Sequence, residues 1–180
     1  LHRANSDFAI LYRTNAQSRA FEESLRRMNI PYRIYGGMSF YQRKEVKDLL
    51  SYLRLVVNPK DEEALKRIIN YPTRGIGKTS IEKIIIRSNE LNKTFWEVIS
   101  QPEMSGIHSS NIEGFVTMIR SFRALIDQGK NAYELAYAVG KHTGLVQELY
   151  NDKSVEGLAR YENVQELLNS IKEFTETPDE

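Results

Sequence analysis

Within "YQRKEVKDLLSYLRLVVN", the residues Val46, Leu49, Leu50, Leu53, Val56 and Val57 recur at helical spacing. That spacing gathers apolar side chains into one stripe along an α-helix, whereas a strand alternates its side chains with period two and would scatter them over both faces. The stripe has to bury itself against other apolar surface. The chain therefore needs partner helices, and the sequence supplies them. After the break at Asn58-Pro59, "DEEALKRIINY" opens with acidic residues that suit a helix N-terminus, and its Leu65, Ile68 and Ile69 face inward. Pro72 ends that segment. Thr79 and Glu82 are spaced as a capping box for "SIEKIIIRSNEL", and Thr94 and Glu97 as another for "FWEVIS". A polar connection spans 102–110. Beyond it, Ile112, Phe115, Ile119, Phe122 and Ile126 form a stripe that stops at Gly129. "NAYELAYAVGKHTG" reads as a helix with Gly144 at its C-terminal cap, and Tyr161, Val164, Leu168 and Ile171 share one face of a last helix.

The first residues follow a different rule. "DFAILYR" (residues 7–13) is a short apolar run of the kind found in buried strands, and "YRIYGG" is another, ended by Gly36-Gly37. Between them, "TNAQSRAFEESLRRMN" reads as a helix with Phe21, Leu25 and Met28 on its apolar face, stopped by Pro31. Strand–helix–strand is the unit of a parallel α/β sheet. The expected fold is mostly α with a small α/β portion at the N-terminus. Residues 1–105 form a first unit and residues 106–180 a second, helical one.

Charge is divided along the chain. Residues 1–90 hold 17 Lys/Arg against 10 Asp/Glu, a net of +7, while residues 91–180 hold 8 against 14, a net of −6. A basic half favours a polyanion such as nucleic acid, although such charges also simply solvate helix faces. The chain has no cysteine, which excludes disulfides and thiolate metal sites and suits a reducing, cytoplasmic setting. No apolar run approaches the ~20 residues that cross a bilayer, so no membrane partner is expected. The chain begins Leu1-His2-Arg3 and ends Glu-Thr-Pro-Asp-Glu, and reads as an excised part of a larger protein.

Two chemistries compete for "NYPTRGIGKTSIEKI", residues 70–84. Gly77-Lys78-Thr79 matches the end of an ATP-binding P-loop, but the first P-loop glycine would then fall on Pro72, which lacks an N–H and has a fixed φ. The residues upstream also have helical spacing, where a P-loop needs a strand. The alternative is a helix–hairpin–helix-like turn. Gly75 and Gly77 permit positive φ and close backbone approach, Ile76 tucks inward as a pin, and the N–H groups of the turn and of the next helix, near Thr79, point outward at a phosphate. Arg74 and Lys78 add charge. Contacts of this kind read only the DNA backbone, so they are insensitive to base sequence and sensitive to salt. A plain glycine turn between two helices would have the same pattern.

"AILYRTNAQSRAFEE" is more specific, and it resembles the motif that opens the second RecA-like domain of UvrD/Rep/PcrA-type superfamily 1 DNA helicases. The resemblance continues through "IPYRIYGGMSFYQRKEVKDLLSYLRLVVNP" and "DEEALKRIINYPTRGIG", and more weakly through "TGLVQELY" and "RYENVQELLNSIKEF". It implies that the N-terminal strands belong to a partial RecA-like parallel sheet. It also implies that residues 1–105 are the first part of the second RecA-like domain (2A), and that residues 106–180 begin the inserted helical domain (2B).

The intact protein would be an ATP-dependent 3′-to-5′ helicase using ATP and Mg2+. Its partners would be single-stranded DNA, the duplex junction and its own remaining domains. By the same resemblance, Tyr12 would stack on adenine and Arg13 would reach the γ-phosphate as an arginine finger. Arginine suits that role because it is a permanent, planar, multidentate cation. Taken alone, Tyr12 reads as a core residue and Arg13 as a surface charge.

The domain carrying the P-loop is not in this chain, so the fragment is expected to bind no nucleotide alone and to be inactive. The family also places the Gly-Ile-Gly region toward the duplex. "FYQRKE" is a further candidate DNA surface, with Tyr41 stacking on a base and Arg43 and Lys44 meeting phosphate, although the same residues suit an aromatic anchor with solvated charges. His108 and His142 are isolated, and no metal site is expected. The acidic second half leaves one other function open: a protein-interaction or autoinhibitory module that does not itself grip DNA.

Overall fold

A computed structural model describes residues 4–176. It contains the helices α1 (Ser18–Arg27), α2 (Lys44–Val57), α3 (Glu62–Ile68), α4 (Lys78–Leu91), α5 (Phe95–Ser100), α6 (Pro102–Ser105), α7 (Ser110–Asp127), α8 (Ala132–His142), α9 (Leu145–Asn151) and α10 (Val155–Glu176). Single 3-10 turns occur at Asn5–Asp7, Asn15–Gln17 and Phe40–Gln42.

The stripe on α2 organises the fold. Val46, Leu49, Leu55 and Val56 are fully buried, and α2 packs against α3, α7, α8 and α10. One hydrophobic cluster runs from Phe40 to Leu168, so residues on either side of position 105 share a core. Phe115, Ile119 and Phe122 of α7, Leu135 and Val139 of α8, and Val164 and Leu168 of α10 enter it. Burying side chains of this size stabilises by roughly 1.5–3 kcal/mol each.

Local signals set several boundaries. Asp61 caps α3 by accepting from the Ala64 N–H at 2.9 Å, and Asn131 caps α8 by accepting from the Glu134 N–H at 2.8 Å. The Thr94–Glu97 box forms as its spacing requires. The Thr79–Glu82 box does not, because α4 starts two residues earlier, at Lys78 behind Gly77. The polar connection at 102–110 contains the short α6, ended by Gly106 at φ 69°.

The expected parallel sheet is absent: the described residues contain no strand. The expected strands at 7–13 and 32–37 have strand-like apolar patterns, but a strand exists only when a neighbour satisfies its N–H and C=O groups, and among the described residues no backbone hydrogen bond pairs either run with another segment. Phe8, Ile10 and Leu11 are exposed, Leu11 at 93%. The helix between them also departs from expectation. Phe21 and Met28 face solvent, while Ser18, Arg19 and Glu22 are buried. The polar face turns inward because polar partners await it on α10 and around Phe40, as follows.

Candidate functional site

The turn between α3 and α4 is built around Asn70. Its Oδ1 accepts from the Arg74 N–H at 2.9 Å and the Ile76 N–H at 3.1 Å, which closes the loop from within. Gly75 has φ 72°, a conformation natural to glycine, and a Cβ there would lie 2.7 Å from Asn111 Nδ2. Ile76 is 1% exposed and enters the core. The Tyr71–Pro72 peptide is cis. Upstream stands a helix, α3, and Pro72 is buried, so the geometry of a P-loop is not present.

Past Ile76 the backbone turns outward. Gly77, Lys78 and Thr79 are exposed, and among the described residues no hydrogen bond engages their N–H groups. The N–H groups of a first helical turn have no intrahelical acceptor and carry the positive end of the helix dipole. The Lys78 side chain is 91% exposed and stands 3.9 Å from Glu82, a solvent-screened pair that leaves the ammonium accessible.

Arg74 lies elsewhere. Its guanidinium points inward and donates to the carbonyls of Ile68, Pro72 and Thr143, packed against the rings of Tyr52 and Phe115. Burial pushes the Tyr52 hydroxyl well above its ordinary value of 10.0, and that hydroxyl donates to the Tyr71 carbonyl.

In "FYQRKE", Tyr41 and Arg43 are likewise engaged inside the fold. Arg43 is 7% exposed and donates to the Asn15 carbonyl (2.6 Å), Asn163 Oδ1 (2.8 Å), Ser18 Oγ (2.8 Å) and the Met38 carbonyl (3.5 Å). Burial lowers its pKa, partly offset by Glu22 and Glu45. The Tyr41 hydroxyl donates to Glu23, and burial together with that carboxylate pushes it up to about 12. Lys44 is exposed, with its ammonium 4.6 Å from the centre of the Tyr71 ring.

Around Arg43 runs a buried polar seam that sequence reasoning did not find. Glu22 is 2% exposed and accepts from Ser18, Ser39, Tyr32 and the Phe40 N–H. Burial alone would raise its pKa; the donors from Ser39, Phe40, Ser18 and Tyr32 outweigh it and the net shift is downward. Arg19 bridges α1 to α10 through Glu166 at 2.7 Å and Glu173 at 3.3 Å, and also meets Glu23 at 2.6 Å. Glu166 and Glu173 lie 147 and 154 positions from Arg19, and no local spacing announces them.

Tyr12 and Arg13 sit just ahead of this seam. Tyr12 is half-buried and stacks on Phe21, ring centroids 6.3 Å apart. Arg13 is exposed, and no described residue accepts from its guanidinium. Gln17 shapes the turn: its Oε1 accepts from the N–H groups of Arg13 (2.9 Å) and Thr14 (3.2 Å). The Thr14-x-x-Gln17 spacing was the available signal for this role. No hydrogen bond or ion pair among the described residues joins Arg13 to the Gly75–Thr79 turn, and α1, α2 and α3 separate the two in the chain.

A family model described as the UvrD-like helicase C-terminal domain matches residues 2–180. The chain is 40% identical over 176 residues to the ATP-dependent DNA helicase PcrA of Leuconostoc citreum, covering 96% of this chain and 24% of that protein. It is 40% identical over 178 residues to the ATP-dependent DNA helicase PcrA of Bacillus subtilis (strain 168), with the same coverage. With DNA helicase II of Haemophilus influenzae it shares 38% over 172 residues, 93% of this chain and 24% of that protein. The chain thus spans about a quarter of the length of these curated relatives.

Proposed function

The chain belongs to the UvrD-like helicase C-terminal domain family, and from that premise we propose that it is the DNA-guiding and nucleotide-sensing part of an ATP-dependent 3′-to-5′ DNA helicase. The observation that carries the DNA half is the outward Gly77–Thr79 backbone beside an exposed Lys78. A phosphate at this position would accept from the N–H groups of the first turn of α4 and pair with the Lys78 ammonium, with no base contact. Lys44 is a second exposed cation available to the backbone of a single strand.

In the nucleotide half, Arg13 reaches the γ-phosphate of an ATP held, with Mg2+, by another domain of the same polypeptide, and Tyr12 packs against the adenine. The described residues support this with one feature: Gln17 holds the backbone at Arg13 while leaving its guanidinium in solvent. The described residues contain no helix long and apolar enough to cross a membrane. The function proposed is that of a motor acting on DNA in the cytoplasm.

Duplex binding by the full-length protein at several salt concentrations tests the DNA half. Lys78→Ala should weaken binding and lower the salt slope by about one. An unchanged affinity and slope would favour the second reading, a protein-interaction or autoinhibitory module. The observation behind that reading is the net −6 charge of residues 91–180, which repels phosphate.

A further inference from the structure

We infer that Arg74 is a positioning residue: it ties the Gly75–Gly77 turn to the C-terminal end of α8 and so sets the direction in which the α4 N–H groups point. The inference deepens the hairpin reading above and rests on it for its consequence on DNA. In the sequence Arg74 and Lys78 are two cations flanking one turn. In the fold they have opposite environments. Lys78 extends into solvent, whereas Arg74 donates from Nη1 to the Ile68 carbonyl at 3.3 Å and the Pro72 carbonyl at 2.9 Å, and from Nη2 to the Thr143 carbonyl at 3.2 Å.

These acceptors belong to three separate segments: the last residue of α3, the loop itself, and the C-terminal cap of α8. The carbonyls at the end of α8 have no intrahelical donor and lie at the negative end of that helix's dipole, so a cation is favoured there. The rings of Tyr52 and Phe115, with centroids 5.6 and 5.8 Å from the guanidinium carbon, hold its plane. Asn70 closes the loop from inside, and Arg74 fastens it to a helix some seventy positions later. A planar fork can serve three carbonyls at once; an ammonium on a flexible stem holds them less firmly. Arg74 therefore acts on DNA through the turn it holds, while Lys78 and the N–H groups make the contact.

The test uses the full-length protein, a DNA duplex with a single-stranded tail, and the variants Arg74→Lys, Arg74→Ala and Lys78→Ala. Two quantities are read: the dependence of Kd on salt, and amide hydrogen exchange in segments 68–81 and 139–146. Arg74→Lys keeps the charge. It should weaken binding about tenfold with the salt slope unchanged, and should speed exchange in both segments. Lys78→Ala should lower the slope by about one and leave exchange unaltered.

The inference is overturned if Arg74→Lys matches the parent in both affinity and exchange. It is equally overturned if Arg74→Ala lowers the slope by about one with exchange unaltered, which would make Arg74 a phosphate contact. Failure of the DNA reading looks different: Lys78→Ala then changes neither affinity nor slope. In that case faster exchange in Arg74→Lys still supports the positioning role, and unaltered exchange removes it.

Discussion

Arg43 and Asn163, 120 positions apart in sequence, meet side chain to side chain at 2.8 Å in the buried seam between α2 and α10. Asn163 then donates from Nδ2 to Glu45 Oε1 at 2.6 Å, so one amide satisfies a buried cation and a buried anion together. Asn163→Leu removes both contacts without opening a cavity. It should destabilise the fold by about 3–5 kcal/mol, the range for stranding a buried charge. Urea unfolding measures it, and a loss below about 1 kcal/mol would mean that water replaces the amide.

Glu22 makes stability depend on acidity. Burial raises its pKa and four donors lower it further than burial raises it, so its folded pKa lies below the ordinary 4.5. A lowered acid contributes stability that is complete above the unfolded value and is lost as pH falls through the folded one. Asp48 has the opposite sign: burial raises its pKa despite Arg67, so its contribution falls as pH rises above 3.8. The comparison is therefore between the parent and Glu22→Gln. The stability difference should be largest above pH 4.5 and shrink below it, and a difference flat across that window would show that the carboxylate is not the group responsible.

Gly157 is buried at the start of α10, where a Cβ would lie 2.3 Å from both the Asp152 carbonyl oxygen and Asp152 Cγ. Backbone cannot swing aside as a side-chain tip can. Gly157→Ala should lower stability by about 1–3 kcal/mol through forced separation of α9 and α10, despite the higher helix propensity of alanine. Thermal unfolding reads the effect, and a rise in Tm would refute the close approach.

Arg13→Ala in the full-length protein should reduce ATP turnover by about 10³–10⁵-fold, the range for removing an arginine finger. Nucleotide binding should largely survive. Steady-state turnover together with equilibrium binding of a nonhydrolysable ATP analogue separates the two. Normal turnover would remove Arg13 from the nucleotide site.

Several helices were legible in the sequence because periodicity is a local record of one buried face. Val46, Leu49 and Val56, or Phe115 and Ile119, are buried where their spacing puts them. Ile76 and the glycine turn were legible for a similar reason, since φ and hydrophobic anchoring are properties of a few adjacent residues. The Thr79–Glu82 spacing misled because Gly77 is the N-cap of α4, two residues earlier.

Long-range partnership was not legible. The runs at 8–13 and 32–35 have strand composition, yet a strand is a relation between two segments, and the described residues supply no second one. For α1, apolar spacing pointed Phe21 and Met28 inward, but Glu166 and Arg43 recruit its polar face instead. By itself the sequence determined the helices around α2, the glycine turn after α3 and the family to which the chain is similar. Only the tertiary structure decided which cations face solvent. Lys78 extends outward, while Arg43 and Arg74 turn inward, because acceptors that complete their pockets, Asn15, Ser18 and Asn163 for Arg43 and the Thr143 carbonyl for Arg74, arrive from distant segments and leave no trace in the local pattern.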